Sequence, residues 1–452
     1  MTTSADLNPK NSTFLTRVMT SRLFPGFFQW TVLILLLFGA WAALFASNSG
    51  TAESNFTLVF VWIFWGTVAP ISMVLIGRYW CSMCPFQLIG SFVSRRFGKG
   101  KPIPRFFRHY GFWIALILFV VIVWFEHAVD IFTSPILTLV LLVPVLLGAI
   151  VGALFFRNIE WWCHGLCPLL PIARNYSMMS SLEVRATPST CSQCSVKTCY
   201  LDGDDTYGCP VGLYPRTLDS MQDCIACGEC FKSCPTPGTI QAKTRGMFHE
   251  FGRIRFPRMD AAMFAAIWPG LLAIHFFVLT PAGDEVMRGW MSTFGIPSYL
   301  VAWTLVYIIA IVASASLVAV STTVSAVIAG VASYKKRFTR FSYAFIPLAV
   351  GIHTAFNMPR FFGEIGLNRV AHNFAGIFGY SFDGTVLVLG QGATQALMFV
   401  LLGAGMVASL AATGFMSKNG EGSRPFLASL PMVAVMAAFT VGIGAIFQIM
   451  YF

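Results

Sequence analysis

The chain has 452 residues, of which 56% are hydrophobic and 11% charged, and a net charge of +11. So apolar a composition excludes an ordinary water-soluble domain of this length. The charge sits in short loops, with Arg95, Arg96, Lys99, Lys101, Arg105 and Arg108 in one and Lys335, Lys336, Arg337 and Arg340 in another, which is the positive-inside pattern of a membrane protein and excludes nucleic acid as a partner in favour of lipid.

Taken in chain order, residues 1–26 lack a small-residue cleavage site and are expected to be a retained cytoplasmic tail. Apolar runs near 27–47 and 56–77 predict two spans joined by the polar tip SNSGTAESN. Runs near 111–131 and 136–156 predict two more, so residues 27–180 read as a four-helix membrane region. Residues 181–255 are polar, dense in cysteine and carry the acidic insert LDGDDTYG. Membrane character resumes over 256–452, with spans expected near 261–281, 298–320, 341–358, 391–413 and 426–447. The apolar run beyond 298 reaches about 333, which predicts either one tilted or projecting helix or a separate interfacial piece at 321–333. The stretch 356–382 reads as interfacial. The expected fold class is thus an all-α polytopic membrane protein of about nine transmembrane helices with an inserted small α+β domain. The basic loops place the N-terminus and the inserted domain on the cytoplasmic side of a bacterial inner membrane and the C-terminus outside.

All twelve cysteines lie between 81 and 234, whereas packing cysteines would be scattered through the helices. DCIACGECFKSCPTPG, residues 223–238, spaces four of them as C-x2-C-x2-C-x3-C-P, the bacterial two-cluster ferredoxin run. Upstream, Cys191, Cys194 and Cys199 followed by Cys209-Pro210 form an expanded version of the same half-motif. In such runs the last cysteine ligates the other cluster. The expected sets are therefore Cys191, Cys194, Cys199 and Cys234 for one [4Fe–4S] cluster, and Cys224, Cys227, Cys230 and Cys209 for a second. Zinc also takes C-x2-C pairs, but its knuckles seldom carry a third cysteine and a Cys-Pro twice over. A reducing cytoplasm argues against disulfides.

RYWCSMCPFQ supplies Cys81 and Cys84, and EWWCHGLCPLLP supplies Cys163 and Cys167, each pair following a predicted span. Four thiolates at one lipid–water boundary suit a third cluster or a metal such as copper or zinc, and two redox-active dithiols remain an alternative.

Of seven histidines, His275 and His353 are expected at comparable depth in two spans. A b-type haem between them, a quinone-site role and plain structural bonding are the three readings. His164 is expected to orient the CHGLCP site rather than ligate it. Glu126, His127 and Asp130 read either as a proton-exchanging group or as a solvated helix end, and His372, with Arg369 and Asn373, as part of an external site. No phosphate-binding glycine loop or nucleophile elbow is present, so neither hydrolysis nor nucleotide use is expected.

Over residues 56 to about 240, the paired cysteine motifs after membrane hairpins and the ferredoxin segment resemble the NapH/NosR-type membrane ferredoxins and share parts of the pattern of the related CcoG/FixG type. CHGLCPL matches well, while CSMCP is one residue shorter than the usual spacing. The resemblance implies a 4Fe–4S electron-transfer component of a respiratory oxidoreductase, with quinone or quinol as its small partner and another subunit or larger membrane complex as its protein partner. Alternatives are a membrane copper reductase in oxidase assembly and a redox-sensing or assembly subunit.

Overall fold

The structure, a computed structural model, describes residues 14–45, 55–203, 207–253, 257–363, 367–377, 379–381, 384–418 and 424–451. Most of the first expected hairpin tip, part of the acidic insert and the extreme N-terminus lie outside them.

The protein is mostly helical and reads as a multi-pass membrane protein. Eight described helices have the length and apolarity to cross a bilayer: α1 (Gly26–Phe45), α2 (Phe56–Ile76), α4 (Arg105–Ala128), α5 (Pro135–Phe155), α6 (Met259–Phe277), α7 (Tyr299–Ala329), α9 (Gln391–Lys418) and α10 (Pro425–Met450). Between α2 and α4 the expected basic loop begins instead as an amphipathic helix, α3 (Pro85–Phe97). The ninth expected span is α8 (Ile346–Phe362), only 17 residues long and entered through a 3-10 turn at Ser342–Phe345.

By their contacts the residues fall into two compact units, and several membrane helices contribute one end to each. The first unit comprises residues up to Ala40, Ser72–Ala115 and Leu139–Met247. It contains a two-stranded antiparallel sheet, β1 (Leu182–Ala186) and β2 (Ile240–Thr244), with Leu182 opposite Thr244 and Ala186 opposite Ile240. Leu182, Val184, Ile240 and Ala242 turn into a core with Met221 and Phe231. That core also takes Met19 and Phe24. Residues from Phe14 are therefore built into this unit, where the sequence suggested a tail. The reason is local: the short helix Phe14–Thr20 offers Thr16, whose hydroxyl accepts from the Ala242 amide at 3.0 Å and gives β2 an edge partner. Gly228 closes the contact with φ +78°, and a Cβ there would stand 2.4 Å from the Met19 carbonyl oxygen. Gly228→Ala is expected to cost more than about 1 kcal/mol, read as a lowered midpoint in thermal unfolding of the purified protein.

The second unit comprises Trp41–Ile71, Leu116–Thr138 and Phe248–Phe452. Here α7 is one uninterrupted helix, so 321–333 is not a separate piece. Ser298 caps its start by accepting from the Val301 amide, and Gly330 ends it at φ +68°. Small residues bring helices close. Gly351 of α8 meets Gly405 of α9, and the Ser409 hydroxyl accepts from the Leu348 amide at 2.8 Å. Arg337, expected in an exposed basic loop, is instead buried on the helix Tyr334–Phe341 and donates from Nε to the Ser325 hydroxyl at 3.1 Å.

Candidate functional site

All twelve cysteines are free thiols. The structure brings them together in three groups of four, within reach of one another's charge. Cys191, Cys194, Cys199 and Cys234 form one group. Cys209, Cys224, Cys227 and Cys230 line one small, partly open cavity of about 20 Å³ with Ile225 and Phe231. Cys81, Cys84, Cys163 and Cys167 form the third.

The second group lies between the other two. Cys230 is within electrostatic reach of Cys199. On its other side Cys209 and Cys227 share an apolar cluster with Cys163, against which Cys81 and Cys167 pack. Among the described residues no three His, Cys, Asp or Glu side chains converge closely enough to hold a single metal ion.

Three of the Cys-Pro steps share one local geometry. Proline has no amide hydrogen and fixes its own φ, so the first N–H available is two residues past the cysteine. At Cys84, Cys167 and Cys209 that amide, from Phe86, Leu169 and Val211 respectively, is aimed at the sulfur. Cys84 and Cys167 have nearly the same backbone, φ −61° and ψ 127° against φ −62° and ψ 120°. The shorter CSMCP spacing therefore still presents its second thiol as CHGLCP does. In the second group the Ala226 amide reaches the Cys224 sulfur at 3.4 Å.

Burial dominates the electrostatics. It pushes the Cys84 thiol up to about 11 and those of Cys167, Cys209 and Cys224 to about 12, and raises Cys163, Cys227 and Cys230 as well. The Cys199 thiol rises to about 11, again through burial first.

Arg78 ties the second and third groups together. It is 1% exposed. Its guanidinium donates to the Cys163 carbonyl at 2.8 Å and to the carbonyls of Gln222 and Asp223 at 3.2 and 3.3 Å, immediately before Cys224. It also lies within electrostatic reach of the Cys81 thiol. The Asp223 carboxylate pairs with Arg174 at 2.9 Å, and the Asp223 carbonyl accepts from His164 Nε2 at 2.9 Å. Burial lowers His164 to about 4, so it stands neutral as that donor. His164 thus tethers the CHGLCP segment to the loop before Cys224. Close packing helps: Gly165 lies against Gly111 of α4, where a Cβ on Gly111 would be 2.7 Å from the Gly165 Cα.

The fit to an iron–sulfur group can be tested on these residues. Each set offers four thiols, and backbone amides already point at several of the sulfurs, which is what cluster ligands need. Arg78 Nε and Trp80 Nε1, just before Cys81, are buried donors with no acceptor among the described atoms, so this segment has capacity for a further acceptor. The residues fit.

His275 Nδ1 lies 3.0 Å from His127 Nε2 and 4.0 Å from Glu126 Oε2. The Phe276 ring touches both His275 and His353, with centroids at 4.7 and 6.3 Å, and stacks on Phe356 at 4.6 Å. His353 is itself within electrostatic reach of His275. Glu126 is 8% exposed, which excludes the solvated-end reading for it, whereas Asp130 is exposed at a turn. Arg360, which the sequence did not single out, stands 5.7 Å over the Phe276 ring and within electrostatic reach of His127 and His275.

No protein-family model, no curated protein and no solved structure matches the chain.

Proposed function

We propose that the chain is a membrane-bound electron-transfer protein that relays electrons between the quinone pool or a partner subunit and a respiratory oxidoreductase. The water-facing sets, Cys191/Cys194/Cys199/Cys234 and Cys209/Cys224/Cys227/Cys230, would each hold a [4Fe–4S] cluster, and Cys81/Cys84/Cys163/Cys167 a third iron–sulfur group. When bound, such groups store and release single electrons. The observation that supports this reading is the grouping of twelve cysteines into three sets with the second set in the middle. A line of three neighbouring sites is what stepwise transfer requires, and no bond chemistry is asked of the protein.

The chain's own residues have distinct tasks. The Cys-Pro amides would offset thiolate charge, the Arg78 guanidinium would place a cation between the second and third sets, and the surrounding apolar cluster would keep water away. The basic loops support a cytoplasmic position for all three sets.

The deciding experiment is an iron, sulfide and haem count on anaerobically purified protein, with electron paramagnetic resonance spectra. About twelve irons per chain are expected. Zinc in place of iron would overturn the reading. The set of soft thiols at Cys81, Cys84, Cys163 and Cys167 also favours a second reading, a copper-reducing site. Copper-dependent turnover without quinol-driven cluster reduction would select it.

The raised thiols give a pH dependence. With their pKa values at about 11 and 12, they are protonated at neutral pH when nothing is bound, and each releases a proton on becoming a ligand. Iron retention against a chelator is therefore expected to weaken as pH falls, about tenfold per unit for each proton released. Competition at about pH 8 and pH 6 measures it.

A further inference from the structure

A cavity of about 370 Å³ lies between the start of α1, the amphipathic α3 and the cysteine-bearing segment. That is within the usual range for a small-molecule site. Its walls carry a buried chain of carboxamides. Gln29 Nε2 donates to the Ser82 carbonyl at 2.8 Å and to Gln87 Oε1 at 2.7 Å, and Gln87 Nε2 donates to the Ser91 hydroxyl at 3.1 Å. Gln29, Gln87 and Ser91 are 8%, 4% and 9% exposed. These bonds offset the cost of burying two carboxamides and leave one N–H of Gln87 uncommitted among them. The exposed guanidiniums of Arg95 and Arg96 also border the cavity, Arg95 lying over the Tyr207 ring at 3.6 Å. Cys227, a thiol of the middle set, reaches the same wall.

We infer that this cavity binds the head group of a membrane quinone. Three features select that ligand. The cavity begins at Pro25 and Gln29, where α1 starts, and includes Phe92, whose side chain is 62% exposed on α3; a molecule that lives in the bilayer reaches such an edge. Its donors are carboxamide, guanidinium and phenol groups, which suit the two carbonyl oxygens of a flat ring. Cys227 shares the wall with Glu229, and of the head groups a membrane edge offers a quinone's is the one that exchanges electrons. Glu229 is itself held by Lys232 at 3.2 Å. A head group in this cavity stands beside Cys227, so the inference rests on the electron-transfer reading for its purpose and its choice of head group but not for its binding.

The test uses the full chain in detergent with a short-tailed azidoquinone, photolysed and mapped by mass spectrometry, and with the unlabelled short-tailed quinone in calorimetry. Labelling on α1 near Gln29, on α3 between Gln87 and Arg96, or at Tyr207 is expected. Gln87→Leu and Arg95→Gln are each expected to weaken binding at least about tenfold, and Arg95→Lys to recover part of the loss. His275→Leu is expected to bind as the native chain does. Iron and sulfide are counted on every preparation. A Gln87→Leu variant that loses iron is judged through Arg95→Gln instead. Native-strength binding in Arg95→Gln, labelling confined to the neighbourhood of His275, or occupancy of the cavity by phospholipid that quinone fails to displace would each overturn the inference. Quinone binding to iron-free protein would leave it standing while removing the electron-transfer reading, and iron-loaded protein that binds no quinone would do the reverse.

Discussion

Cys227→Ser is expected to remove about four irons per chain while leaving the set containing Cys191 loaded. The thiol is 7% exposed, and it lines one cavity with Cys209, Cys224 and Cys230. Serine keeps the size but supplies a poor iron ligand, so loss should be confined to that set. Cys234→Ser should give the complementary result, because Cys234 sits with Cys191 and Cys199 although its sequence neighbours belong to the other set. The measurement is iron and sulfide per chain in the two variants, with spectra of each. If Cys234→Ser instead silences the signals lost in Cys227→Ser, the crossed assignment is wrong.

Arg78→Leu is expected to have the second-largest effect. Three carbonyl acceptors, on Cys163, Gln222 and Asp223, lose their donor. At about 1 kcal/mol or more for each unsatisfied buried acceptor, the loss is roughly 3 kcal/mol of local stability. The group held by Cys81, Cys84, Cys163 and Cys167 should be lost or become labile. Where it survives, removal of a buried cation disfavours the reduced, more negative state, so its potential should fall by of order 60 mV, a tenfold shift for one electron. Arg78→Lys keeps the charge but not the fork, and should restore the potential more fully than the stability. A redox titration together with a thermal melt separates the two. An unchanged potential in Arg78→Leu would remove Arg78 from the relay.

The cysteine groups were legible because ligand spacing is written into the chain. A C-x2-C-x2-C segment can wrap one centre with almost no help from tertiary structure, and the Cys-Pro step fixes where the fourth thiol goes. Arg78 was not legible. In sequence it is one arginine after a span among many that mark the cytoplasmic side, and only folding brings it to the Asp223 loop, 145 residues away. The His127–His275 contact was not legible for a related reason. Depth along a helix can be counted from sequence, which matched His275 with His353. Which helices touch cannot be counted, and His127 on α4 proved to be the nearer partner at 3.0 Å. Helix α3 was hidden by its charges: Arg95 and Arg96 read as loop, although apolar and polar residues alternate around it at helical spacing. The long α7 was visible as an apolar run, but its continuity depends on caps at Ser298 and Gly330 rather than on hydropathy.

The bond between Thr16 and Ala242 joins positions 226 apart in the chain. During synthesis the first partner emerges almost at once and must wait for the second until four hydrophobic segments have entered the bilayer. It is therefore the Phe14–Thr20 helix that stands undocked, through the synthesis of everything up to β2. The eight cysteines at 191–234 are made only just before β2, so they and the docking site for the Phe14–Thr20 helix become available almost together.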